Sequence, residues 1–236
     1  MNVRPIKTRI FKERDGLVSF IQEHVPSLSE DSVLVVTSKI VALSEGRTVP
    51  LGTKTEKDRL IKRESEFALK TKLVWLTIRQ GLVMANAGVD ESNADGKIIL
   101  LPKDSFAAAK KLRDALKKHY GVKRLGVLIT DSRLFPLRTG VVGVALGYAG
   151  FAGVRDERGR KDIFGRPLKM TRIDVADSLA TAAVLEMGEA AERQPLAVIQ
   201  EARVVFKERV NSKELLVDIK DDLYQPLFAR ASKRRK

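Results

Sequence analysis

Hydrophobic residues recur along this chain with two periods, and each change of period marks an element. Leu17, Ile21 and Val25 share one stripe, which predicts a short helix over 15–25. The run SVLVVT at 32–37 has no polar alternation and predicts a strand buried on both faces. A charged stretch over 55–72 reads as a helix, followed by strands over 72–78, 82–85 and 97–101. Phe106, Ala109, Leu112 and Leu116 repeat at three and four residues behind Asp104, a good N-cap, and ahead of Gly121, a good stop; this predicts a helix over 104–120. RLGVLIT at 124–130 is a second buried strand, with Asp131 and Ser132 expected in the turn at its end. Strands over 141–146 and 169–173, a helix over 175–188, strands over 196–199 and 203–206, and a helix over 212–231 complete the pattern.

Helical and strand patterns mix without a regular βαβ repeat, so the expected class is α+β (mixed α/β), with mixed sheets and flanking helices. No low-complexity linker or internal repeat divides the 236 residues. The expectation is one domain over 1–236, with room for two interleaved subdomains.

Composition removes several chemistries. With no cysteine there is no disulfide scaffold, thiol nucleophile, zinc-thiolate site or iron–sulfur cluster. His24 and His119 are too far apart in sequence for a histidine-built zinc motif. The longest uncharged run, 139–154, carries five glycines and is short of the roughly 20 apolar residues a spanning helix needs. No apolar stretch backs Arg4, Lys7 and Arg9 in the manner of a signal peptide, so no membrane partner and a cytoplasmic location are expected. The 44 Lys and Arg exceed the 30 Asp and Glu, for a formal charge of +14. Part of the excess is a basic tail over 230–236. Such a balance suits anionic partners, nucleic acid among them. The cations Lys110, Lys111, Arg113, Lys117 and Lys118 read better as the wet face of a helix than as a nucleic-acid stripe.

Two short segments carry acids where chemistry is usually mounted. In NAGVDESN, at 86–93, Asp90 and Asn93 offer oxygen donors after small residues that allow close backbone approach. Asp131 and Ser132 place a carboxylate and a hydroxyl together, a pairing suited to a hard cation and its phosphates. Both segments are also ordinary turn sequences. The 46–55 segment, GRTVPLGTKT, lacks the Gly-Lys-Thr order of a Walker A loop. Gly140, Gly143, Gly147, Gly150 and Gly153 do not form GxGxxG and read as tight strand packing or bulges. Trp75 reads as core rather than as a stacking platform, and Arg138, Arg158, Arg160 and Arg166 either grip a ligand anion or pair with Asp156, Glu157 and Asp162.

NAGVDESN at 86–93, GVLITDS at 126–132, RTGVVGVALGYAG at 138–150 and the long stretch over 156–190 stand in the order seen in one family, with a weaker match over 33–47. On these motifs the chain resembles the coenzyme F420-0:gamma-glutamyl ligases. The resemblance implies a gamma-glutamyl ligase-like fold in an intertwined homodimer. It also implies a ligase dependent on GTP and on Mg²⁺ or Mn²⁺, which joins L-glutamate to an anionic carboxylate acceptor through an acyl phosphate. By the same resemblance Asp90 and Asp131 are catalytic, and Asp90, Asp131, Ser132 and Glu189 hold metal. Ser38, Lys39 and Asn93 then face the nucleotide.

The sequence departs from the pattern in places. Ala42-Leu43 replaces the family's Ser-Lys; Arg133-Leu134-Phe135 follows Asp131-Ser132 in place of Asn-Gly-Arg; and Gln200-Glu201 replaces Arg-Gly. These changes keep two alternatives open: the same chemistry on another acceptor (folate-like or peptide), or a non-catalytic basic binding protein.

Overall fold

A strand can be apolar at every position only if both of its faces are covered, and Val33 to Val36 have no exposed surface at all. The computed structural model, which describes residues 1–226, makes this run the middle of a five-stranded sheet. Its elements are β1 (Asn2–Ile6), α1 (Leu17–His24), β2 (Ser32–Thr37), α2 (Ser38–Ser44), β3 (Thr48–Pro50), α3 (Lys54–Arg63), β4 (Phe67–Lys70), β5 (Trp75–Arg79), β6 (Leu82–Ala85), β7 (Lys97–Ile99), α4 (Ser105–Tyr120), β8 (Leu125–Leu134), β9 (Val141–Ala149), β10 (Val154–Asp156), β11 (Arg172–Asp174), α5 (Val175–Met187) and β12 (Leu196–Gln200). The class is mixed α/β, and the chain forms two compact units, Met1–Val49 with Ile99–Glu214, and Pro50–Ile98 with the segment from Leu215 onward. β3 and β7 pair as a short two-stranded ribbon.

In the first unit the sheet order is β1-β12-β2-β8-β9. Only β2 and β8 are parallel, in register from Ser32 with Leu125 to Thr37 with Thr130; the other pairs are antiparallel. A bulge interrupts β8 and β9: Ile129 faces Gly147, Thr130 faces Ala145, and Leu146 is the extra residue. The bulge reverses which face β9 presents. A Cβ on Gly143 would lie 2.3 Å from the Ala180 carbonyl oxygen of α5, and one on Gly147 2.4 Å from the Ser105 carbonyl carbon of α4. The two helices therefore seat on glycines on opposite faces of the sheet. Asp177 of α5 accepts the Ala145 N–H at 2.8 Å, and Thr181 donates to the Gly143 carbonyl at 2.8 Å.

Several helix limits follow from local chemistry. Asp104 accepts the Ala107 N–H at 2.9 Å, and Gly121 ends α4 with φ of 68°. Arg113 does not belong to the wet face expected for it. It is 3% exposed and donates to the Leu125 carbonyl and, through both terminal nitrogens, to Glu208. With Lys117 it holds the Glu208 carboxyl down to about 2. α5 starts at the N-cap Asp174, whose side chain accepts the Asp177 N–H.

The second unit departs furthest from the periodicity. The helix expected over 55–72 stops at Arg63, because the Ser65 hydroxyl turns back onto the Ile61 carbonyl and the Glu66 N–H bonds to Ile78. Residues 67–70 become the first strand of an antiparallel meander, β4-β5-β6. A capping box between Thr53 and Glu56 starts α3. Trp75 is half-buried rather than core; its indole N–H donates to Asp58 at 2.7 Å, and the ammonium groups of Lys62 and Lys70 lie 4.9 and 5.3 Å from its ring centre.

Two more expectations are corrected. The 203–206 strand is an extended segment tied down by a Phe151–Phe206 bridge and by bonds from Ala152 N to Val205 O and Lys207 N to Gly150 O. Residues 212–224 form turns and one 3₁₀ turn at Ile219–Asp221 instead of a helix; residues 225 and 226 are helical, and the rest of that expected helix, with the basic tail, lies outside the described residues.

Gly147→Ala is expected to lower stability by about 1–3 kcal/mol, because the methyl group meets α4 backbone rather than a side chain that can swing away. A urea midpoint equal to that of the wild type would contradict this. A second expectation concerns pH. Burial, and then the charge of Asp177, push the Asp174 carboxyl up to about 6, above its unfolded value near 3.8. Ionisation therefore costs the folded state, and stability drops as pH rises from about 4 through 6. Asp174→Asn keeps a capping oxygen and removes the charge. It should melt higher than the wild type at pH 7.5 and show a smaller difference at pH 4.

Candidate functional site

β8 outruns its parallel neighbour. β2 ends opposite Thr130, and α2 begins at the next residue, Ser38. Asp131 and Ser132 are thus strand residues paired with Val144 and Gly143, not turn residues as their position after a buried run suggested. Consecutive strand residues point to opposite faces, so the two side chains separate. The buried Ser38 hydroxyl donates to Asp131 Oδ1 at 3.2 Å. On the other face, where Gly143 seats α5, the Ser132 hydroxyl lies 2.7 and 2.8 Å from the two Glu189 carboxylate oxygens. Glu189 reaches it because α5 ends at Met187 and Gly188, with φ of 80°, turns the chain. The first unit thus gathers Ser38 with Asp131 and Ser132 with Glu189, and Lys39 follows Ser38 in the first turn of α2. Thr130 lies between the bulge and Asp131, fully buried, and its hydroxyl has no hydrogen-bond partner among the described residues.

Asp90 and Asn93 belong to the second unit. Their loop is framed from within: the Trp75 N–H donates to the Asn86 side chain at 2.9 Å, and the Thr77 hydroxyl accepts the Ala87 N–H at 2.8 Å. Asp90 accepts the Ser92 N–H at 2.7 Å on one oxygen and the Ser92 hydroxyl at 2.8 Å on the other. Asn93 turns the chain at φ of 52°, a backbone conformation asparagine tolerates well. The adjacent Glu91 pairs with Lys57 at 2.7 Å.

The arginines divide. Arg158 grips Asp156 through two nitrogens and holds that carboxyl down to about 2, and Arg160 pairs with Glu157 at 2.5 Å. These two are structural ion pairs. Asp162 accepts the backbone N–H of Arg166 rather than its side chain. Leu43, in place of the family's lysine, is half-buried at the end of α2, and its carbonyl accepts the N–H groups of Arg14 and Gly46. Position 43 is a packing and helix-end position here.

The donors gathered on β8 are hard oxygens of carboxylate and hydroxyl type, the kind Mg²⁺ and Mn²⁺ take. Among the described residues no group of three or more acidic or imidazole side chains clusters for a metal. A cavity of about 190 Å³, bordered by Val154, Arg155, Val205 and Lys207, includes none of the expected site residues. Among the described residues no helix is long and apolar enough to cross a membrane. Arg133, two residues beyond Asp131, stood out in the sequence only as a departure from the family pattern and not as a site residue. Strand alternation counted from Asp131 would have put the two on one face.

Residues 5–201 match the family model described as F420-0:Gamma-glutamyl ligase. The chain is 37% identical over 215 residues to a protein of Methanopyrus kandleri named coenzyme F420:L-glutamate ligase, covering 83% of this chain and 84% of that one. It is 39% identical over 198 residues to the protein of the same name from Methanocaldococcus jannaschii, covering 81% and 78%. A Methanococcus maripaludis protein of that name is 35% identical over 224 residues, covering 93% and 88%. With a family match across most of its length and relatives this similar, the chain belongs to the F420-0:gamma-glutamyl ligase family.

Proposed function

We propose that this protein is a nucleotide- and divalent-metal-dependent ligase that joins L-glutamate, through an amide, to the carboxylate of F420-0. The observation that carries the reading is the pair of oxygen contacts at the end of β8, Ser38 with Asp131 and Ser132 with Glu189, in a chain of this family.

A carboxylate does not accept an amine at neutral pH, because its acyl carbon is shielded by charge and its leaving group would be oxide. Phosphorylation removes both obstacles. An acceptor oxygen attacks the γ-phosphorus of GTP; the new P–O bond forms as the bond to GDP breaks. The glutamate amine then attacks the acyl carbon, inorganic phosphate departs with the bonding electrons, and the nitrogen gives up a proton. Ser38, Lys39 and Asn93 position the nucleotide in this reading.

The donor chemistry of Ser132 with Glu189, and of Asp131 on the opposite face of β8, fits a hard divalent cation, and Asp90 in the second unit is a donor of the same type. Mg²⁺ or Mn²⁺, when bound, supplies neutralisation of phosphate charge. The chain's own contribution is to fix these oxygens. Ser38 holds one oxygen of Asp131, and Ser132 orients Glu189 by spanning both of its oxygens.

A homodimer belongs to the same reading. The hairpin beyond the sheet exposes Leu134, Phe135, Leu137 and Val141, and Ile163 and Phe164 are 92% and 83% exposed. Apolar groups in such number, on projecting segments, are what an interface between two copies covers.

Asp131→Asn should reduce kcat by about a hundredfold or more at saturating metal, a loss of the size seen when one charge-stabilising group is removed. The assay follows GDP release with mass detection of glutamylated F420-0, and full turnover by the variant would remove Asp131 from the reading. For the dimer, light scattering behind gel filtration should give twice the chain mass for the wild type and the single-chain mass for Leu137→Asp. A monomeric wild type would contradict it.

A further inference from the structure

Past Thr130, β8 is paired with β9 alone, and residues 131–134 and 141–144 form a two-stranded arm. The pairing is regular there: Asp131 with Val144, Ser132 with Gly143, Arg133 with Val142, Leu134 with Val141. Asp131 and Arg133 therefore share a face, about 6–7 Å apart along the strand, and Ser132 and Leu134 share the other. The face that Asp131 turns to Ser38 continues as Arg133.

Arg133 differs from the arginines of the first unit that are matched by carboxylates. Arg113 is matched by Glu208, Arg124 by Asp31, Arg158 by Asp156 and Arg160 by Glu157. Among the described residues the Arg133 guanidinium has no ion pair or hydrogen bond. Its Nε is buried without a partner, and its central carbon lies 5.5 Å from the centre of the Phe135 ring. A guanidinium cannot shed its charge, and a buried donor left unpaired is unfavourable. Stacking against Phe135 restricts the plane of the fork without using its in-plane donors, which suits a planar or tetrahedral oxyanion.

We propose that Arg133 binds an oxyanion of a substrate, a phosphate or carboxylate held on the Asp131 face of the arm. It is thereby a specificity-determining residue of this chain, at a position where the family resemblance has asparagine. The proposal rests on the ligase reading for the identity of the substrates but not for the anion binding itself. The anion has two sources, the phosphates of the nucleotide or an anionic group of the acceptor.

The test is calorimetric titration of wild type, Arg133→Gln and Arg133→Lys with tripolyphosphate, GTP plus Mn²⁺, and F420-0. Arg133→Gln should weaken binding about tenfold to a hundredfold for at least one of these probes, and Arg133→Lys should recover part of it because charge is kept and the fork is lost. Loss for tripolyphosphate and GTP together assigns the anion to the nucleotide, and loss confined to F420-0 assigns it to the acceptor. The melting temperature separates binding from a structural role: with no ion pair or hydrogen bond to lose among the described residues, and only the contact with the Phe135 ring given up, Arg133→Gln should melt close to the wild type. Equal binding of all three probes by a folded Gln variant overturns the proposal, as does a wild type that binds none of them. A wild type that binds but forms no amide sinks the ligase reading and leaves the Arg133 result standing.

Discussion

The bulge between Ile129 and Thr130 is the constraint on which the first unit depends. A strand has a period of two, so one extra residue in β9 moves every later side chain to the other face. Below the bulge Gly147 meets α4, and above it Gly143 meets α5. Were Leu146 paired in a regular ladder, Gly143 and Gly147, four residues apart in sequence, would lie on one face, and one helix would lose its close seat. α5 would then stand off the sheet, and Glu189 at its end would no longer reach the Ser132 hydroxyl. The acceptor of the Ala145 N–H at the bulge is Asp177, a residue of α5 itself. The helix that needs the irregularity also satisfies it.

The same logic explains how the segment after β12 stays on the first unit without joining the sheet. Two backbone bonds and side-chain carboxylates hold it. Glu208 takes the buried Arg113, and Glu214 accepts the Tyr148 hydroxyl at 2.6 Å and the Gly153 N–H at 2.7 Å on one oxygen. Tyr148 has no exposed surface, and burial raises its pKa, so it remains a neutral donor. A segment held this way leaves no apolar period to read.

That contrast accounts for what was legible in advance. β2, α4 with its Asp104 cap and Gly121 stop, and α5 are determined by burial and capping within a few residues of themselves, and the pattern showed them. β1 pairs with a strand nearly two hundred residues away, and its alternation is interrupted by Pro5. β4 hides in a charged run that favours helix and is overruled by its pairing with β5. Asp131 and Ser132 were legible as chemistry and not as geometry, because nothing local says that β8 continues four residues beyond Thr130. Only its partner in β9 does. Contacts between Ser38 and Asp131, 93 residues apart, are invisible to any window along the chain.

The arrangement on β8 also bears on the charge of the protein. Pairs such as Arg158 with Asp156 and Arg124 with Asp31 are neutral and leave the formal excess of +14 in place, but charge remote from the strand end is screened and attracts substrate there only weakly. Under the proposed chemistry two anions, a carboxylate and a nucleotide, must approach a strand end that already bears Asp131 and, across the strand, Glu189. Diffuse charge at a distance does not offset repulsion at contact range, because solvent screens the one and not the other. Countercharge must be placed locally, by a bound cation, by fixed side chains, or by both. Each face of β8 therefore sets its own requirement. On the face of Asp131 and Ser38 a guanidinium follows at Arg133, its donors unspent on the protein. On the face of Ser132 and Glu189 the next arm residue is Leu134, so the strand itself brings no cation there. Under the proposed chemistry, an asymmetric strand end of this kind assigns the hard cation to the Ser132–Glu189 pair and the oxyanion to the side of Arg133.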